Sequence, residues 1–93
     1  MSKLDDARLI INQCDKEMIE LFKKRMSAAK MVAEYKKENN LPVLDSTREK
    51  ILIESNLKLL DNSELETYYI TFIDGMLKAS KDYQQKLINE DLK

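Results

Sequence analysis

The sequence predicts an all-α fold with three helices per chain: one long N-terminal helix, a short second helix and a long third helix. Three observations carry this. Ninety-three residues contain one glycine and one proline, which leaves little material for sheets and tight turns. Apolar residues recur at helical spacing along most of the chain. Helix-capping residues stand just before each periodic stretch.

The first helix is expected to start between Ser2 and Asp5, where Ser and Asp cap and Asp5 and Asp6 favour the positive end of the helix dipole. Apolar or small residues then follow a near-heptad seam at Leu4, Ala7, Ile11, Cys14, Met18, Leu21, Ala28, Val32 and Tyr35. Arg25 alone interrupts the seam. A cation at a seam position is costly without a partner, so a carboxylate or an anionic ligand is expected there. The helix should end near Asn39 and Asn40, with Pro42 following. About 35 residues make a rod roughly 50 Å long, whereas a compact chain of this size has a radius of gyration of about 12 Å. The rod must protrude, and a second copy of the chain is the simplest partner for its stripe, as a two-fold dimer.

The linker LPVLDST leads to a second helix announced by the S-x-x-E capping box Ser46–Glu49, with Asp45 as a rival cap. Ile51, Leu52, Ile53, Leu57, Leu59 and Leu60 supply its apolar surface up to a turn at Asp61–Asn62. Ser63 and Glu66 form a further capping box for the third helix, which reaches about Asn89 and buries a face of Leu65, Tyr69, Phe72, Ile73, Met76, Leu77, Tyr83 and Leu87. Gly75, in its middle, suggests close approach of another backbone.

Composition narrows the function classes. No apolar run reaches the roughly 20 residues of a membrane span, and the start MSKLDDAR lacks the apolar core of a signal peptide, so a cytoplasmic protein without membrane association is expected. One cysteine, Cys14, forms no internal disulfide, and the absence of histidine leaves no plausible transition-metal constellation. A net charge of -1 argues against a nucleic-acid partner. Residues 1–93 are read as a single domain, with no room for a fused second enzyme.

The chemistry-bearing stretch is RMSAAKMVAEYK. Arg25, Ala29, Val32 and Lys36 share one helix face, and the two cations stand roughly 16 Å apart with small apolar residues between them. This suits a slot for a small dianion, though solvated surface charges would look the same. Arg8 lies roughly 25 Å before Arg25 and about 100° around the helix, so it is either a surface or ion-paired residue or reaches such a slot from a partner chain. Arg48 and Glu49 open the second helix, where the capping box by itself accounts for Glu49. Ser80 and Gln84 stand at i and i+4 on the apolar face of the third, where each needs an internal hydrogen bond or a ligand contact.

In order, Arg8, Asp15, Arg25 and Lys36, then Asp45-x-x-Arg48-Glu49, then Ser80-x-x-x-Gln84 resemble the pattern of the all-helical chorismate mutases. The likeness runs from about Leu4 to Leu87 and is densest in RLIINQCDKEMIELFKKRMSAAKMVAEYK and LPVLDSTRE. It implies an intertwined homodimer of three-helix chains, chorismate as substrate, prephenate as product and no cofactor or metal. Carried over by position, Lys36 and Gln84 would be the catalytic donors to the ether oxygen. Arg25, Arg48, Ser80 and Arg8 of the other chain would grip the carboxylates, and Glu49 with the backbone at Asp45 would hold the ring hydroxyl. Ala29 and Val32 would floor the slot. Gln84, an amide, would keep such an enzyme active at neutral pH. Two alternatives stay open: an isochorismate pyruvate-lyase of the same fold, and a non-catalytic helical dimerisation or regulatory module. The module leaves the interruption of the seam by Arg25 unexplained.

Overall fold

The computed structural model describes residues 2–91 and is built from helices alone. Helix α1 spans Lys3–Glu38, α2 Ser46–Leu60 and α3 Glu66–Asp91, with a 3-10 turn at Ser63–Leu65 leading into α3. The three expected helices are present.

Each end has an identifiable cause. Ser2 caps α1 in a reciprocal box, in which the Asp5 amide donates to Ser2 Oγ at 3.1 Å and the Ser2 amide donates to Asp5 Oδ2 at 3.4 Å. At the other end Asn40 adopts a left-handed conformation with φ 55°, which asparagine tolerates better than most residues. The Leu41 amide then donates to the Lys36 carbonyl at 2.8 Å and the Asn40 amide to the Lys37 carbonyl at 3.3 Å. This Schellman arrangement stops α1 and fixes the departure of the linker.

At α2 the rival cap named from the sequence prevails, and ahead of α3 the cap lies one residue before the expected serine. Asp45 rather than Ser46 caps α2, its Oδ1 accepting from the Arg48 amide at 3.0 Å. Asn62 rather than Ser63 opens the 3-10 turn, its Oδ1 accepting from the Glu64 amide at 3.1 Å. In both places an Asx residue precedes the serine, and once its side chain has satisfied the free amide the serine becomes the first helical residue. Glu49 is thereby released from the capping role assigned to it.

The second half of α1 packs on α3. Ala29 (5% exposed), Ala33 (2%), Ile73 and Leu77 form the apolar core, joined by Ser80 (8%) and Gln84 (7%). Helix α2 also packs on α3, yet no α1 and α2 backbones come within 8 Å of each other. That gap becomes the floor plan of the site. Among the described residues two polar ties hold α2 to α3: Asn56 Nδ2 donates to Tyr69 Oη at 2.8 Å, and Lys81 Nζ lies 3.1 Å from Glu49 Oε2. Gly75 does not fit its expected role, since a Cβ placed there meets nothing within 4 Å. Its helix surface is open rather than closely approached by another backbone of the same chain.

The first half of α1 stands away from this core. All described residues before Arg25 are exposed, among them Leu9, Ile10, Ile11, Met18, Ile19, Leu21 and Phe22. The chain extends 55 Å along its longest axis with a radius of gyration of 16.6 Å, well above the roughly 12 Å of a compact chain this long. No described helix is long and apolar enough to cross a membrane.

Candidate active site

Where α1 and α2 stay apart, α3 closes the base and a cavity of about 460 Å³ remains, a size suited to a small metabolite. From α1 it takes Arg25, Ala28, Ala29, Val32 and Lys36, from the linker Val43 and Asp45, from α2 Arg48, Glu49, Leu52 and Asn56, and from α3 Leu77, Ser80, Lys81 and Gln84. The Arg25–Ala29–Val32–Lys36 stripe is therefore one wall, as the helical spacing of these residues requires.

Charge in the cavity is asymmetric. Arg25, Lys36, Arg48 and Lys81 face two carboxylates, those of Asp45 and Glu49, an excess of two positive charges in a chain whose net charge is -1. One carboxylate is already engaged as the α2 cap and the other by Lys81. Among the described residues, the guanidinium groups of Arg25 and Arg48 have no carboxylate partner. Two forked donors left open beside an apolar floor are what a dicarboxylate needs.

Lys36 is held by the linker. Its Nζ donates to the Val43 carbonyl at 2.6 Å, a contact made possible by the Schellman turn that brings the chain back over the last turn of α1. An ammonium has three donors, so two remain for a ligand. On α3, Gln84 Nε2 donates to Ser80 Oγ at 3.0 Å, while Gln84 Oε1 is buried and unpaired. A hydroxyl can donate as well as accept. Turning the amide over would let Ser80 donate to Oε1 and free Nε2, and it would also satisfy the orphaned oxygen.

Seven of the eight residues singled out in the sequence meet at this one cavity: Arg25, Lys36, Asp45, Arg48, Glu49, Ser80 and Gln84. Arg8 does not. It is exposed on the protruding half of α1, far along the rod from Arg25. Sequence reasoning passed over Lys81 and Asn56. Lys81 was findable, because Leu77, Ser80, Lys81 and Gln84 follow the i, i+3, i+4, i+7 pattern of one helix face. A second, more apolar groove of about 620 Å³ adjoins the site through Arg25 and Asn56 and is lined by Met18, Ile19, Leu21, Phe22, Tyr69, Phe72, Ile73 and Met76, with Asp15. No cluster of residues suited to a metal ion exists among the described residues.

Fold and site together define a class: an all-helical chain with a cation-rich slot between its helices. The comparisons with known proteins go one step further. The profile of chorismate mutase type II matches residues 7–85, and the chain belongs to that family. It is 38% identical over 81 residues to the bifunctional chorismate mutase/prephenate dehydratase of Buchnera aphidicola subsp. Schizaphis graminum, a match covering 86% of this chain and 21% of that protein. It is 29% identical over 91 residues to the chorismate mutase of Methanocaldococcus jannaschii, covering 97% of this chain and 92% of that protein. The chain thus spans about a fifth of the first relative and nearly all of the second. No solved structure matches the chain.

Proposed function

We propose that this chain converts chorismate to prephenate by a pericyclic rearrangement, as a homodimer in which each slot is completed by Arg8 of the other copy. The observation that carries the reading is the slot itself: open Arg25 and Arg48 guanidiniums, with Lys36 and Gln84 supplied from two different helices around one cavity. The reaction breaks an ether C–O bond while a C–C bond forms within one molecule. It needs no nucleophile and no obligatory proton transfer, which suits a chain without histidine.

Two demands remain for the protein. The flexible enolpyruvyl side chain must be held in a chair-like conformer over the ring, which two carboxylate grips fixed on separate helices accomplish. Negative charge that grows on the ether oxygen as the bond breaks must be met by donors already in place. Lys36 and the Gln84 amide supply them. Val43 holds Lys36 and Ser80 holds Gln84, so little reorganisation accompanies the charge. Glu49 takes the ring hydroxyl, and Asp45, its carboxylate committed to capping α2, offers its backbone there. Ala29 and Val32 keep the floor low enough for the ring.

Dimerisation is supported by the exposed apolar side chains on the first half of α1 and by the adjoining apolar groove. Large contiguous apolar surface on a soluble chain marks an interaction site. A second copy running antiparallel would lay its α1 along that groove, bury both surfaces and carry its Arg8 to the edge of the slot, where Arg25 borders groove and slot alike.

A stable dicarboxylate analogue of the chair-like transition state tests the reading cheaply. At about one hundred times its dissociation constant it should add about 2.7 kcal/mol of stability, which for a chain this short raises the melting temperature by about 10 °C or more. An unchanged melting temperature at saturating analogue would contradict the proposed site.

A further inference from the structure

The Lys81–Glu49 pair joins α3 to α2 at the cavity wall, and its partners are 32 residues apart in the chain. Both side chains are partly withdrawn from water, at 34% and 24% exposure, whereas the pairs Lys23–Glu20, Lys78–Asp82 and Lys86–Glu90 are i, i+3 or i, i+4 contacts on open surface. Capping does not need Glu49, since Asp45 does that work. The carboxylate is therefore free to serve the cavity, yet left alone it would face a substrate that is itself a dianion. It would also be drawn toward the open guanidinium of Arg48, one residue away on the same turn, or of Arg25 across the slot. Either move would take a grip away from the substrate.

We propose that Lys81 is a positioning residue for Glu49: its ammonium neutralises that carboxylate, holds it at the α2–α3 wall to accept the ring hydroxyl of the substrate, and so keeps Arg25 and Arg48 open for the carboxylates. This rests on the proposed chorismate reaction. Because the α1 and α2 backbones stay more than 8 Å apart, the placement of α2 over the slot leans on α3, and the pair at the cavity wall is one of the polar ties between them among the described residues. The ring hydroxyl lies away from the breaking bond and gains no charge in the transition state. A contact of that kind acts on ground state and transition state alike, so its loss falls on KM rather than kcat.

The test is a double-mutant cycle in the full chain, with chorismate as substrate and circular dichroism confirming the fold of each variant. Lys81→Met, which keeps the length and removes the charge, should raise KM about ten-fold and change kcat less than about three-fold. Lys81→Arg should restore KM to within about three-fold of the original chain, because the pair can re-form. In a Glu49→Gln background, Lys81→Met should change KM less than about two-fold, since nothing is left for Lys81 to position. A Lys81→Met effect of equal size in both backgrounds, or none in the original one, would overturn the assignment while leaving the reaction standing. If the unmodified chain leaves chorismate unchanged, the proposed reaction falls and the role of Lys81 in it falls too.

Discussion

Lys36→Ala should lower kcat by at least about 100-fold and leave KM within a few-fold of its starting value. The size follows from the usual worth of one preorganised donor to a developing oxyanion. The split between the two constants follows from timing: the ether oxygen carries little charge in bound substrate and much more when its bond is breaking, so the ammonium acts on the transition state. A structural explanation predicts something else. Lys36 also bonds the Val43 carbonyl, and losing that tie alone would loosen the linker, lower the melting temperature and raise KM through Asp45 and Arg48. Steady-state kinetics with a melting curve of the variant separates the two. Near-normal kcat in a folded Lys36→Ala chain would sink the electrostatic mechanism.

The second large effect concerns Arg8 and Arg25. Each Arg→Ala variant by itself should be almost inactive, because every slot in either homodimer lacks one carboxylate grip. When the two are mixed and exchange subunits freely, about half the dimers are mixed. In those, one slot draws Arg25 from one chain and Arg8 from the other, so activity should return to about a quarter of the original value. Exchange is checked by mass spectrometry of isotopically labelled subunits, and sedimentation equilibrium checks that the unmodified chain is a dimer. No recovery despite confirmed exchange would refute the shared slot. A monomer in sedimentation would refute the dimer itself.

What the sequence made legible was local or periodic. The extent of α1 follows from an apolar repeat bounded by Ser2 and by the two asparagines. The wall formed by Arg25, Ala29, Val32 and Lys36 follows from helix geometry, as does the adjacency of Ser80 and Gln84. The interrupted seam also marked Arg25, which at the border of slot and groove has no ion-pair partner among the described residues.

What was not legible depended on competition or on distance. Asp45 stands next to Ser46 and Asn62 next to Ser63. Choosing between adjacent caps is a matter of small differences in backbone geometry that a residue type does not encode, and the Asx side chain took the free amide both times. The role of Glu49 changed with that choice. The partner it has instead, Lys81, lies on another helix, and such a pairing is fixed only once α2 has docked. Gly75 meets no other backbone of its own chain. Glycine in a helix interior permits close approach without requiring it, and within the single chain that surface is open. The exposed heptad seam reads as unfinished packing in the sequence and in the single chain alike, because the groups that would cover it are not near it in either.

The most direct test of the central claim is to incubate the purified chain with chorismate, follow the loss of chorismate absorbance and identify the product by mass spectrometry. The slot as described predicts rapid loss of absorbance with a product of unchanged mass, prephenate, since the rearrangement moves bonds within one molecule. Release of pyruvate, the mark of lyase chemistry on the same ether, or persistence of chorismate under these conditions would contradict it.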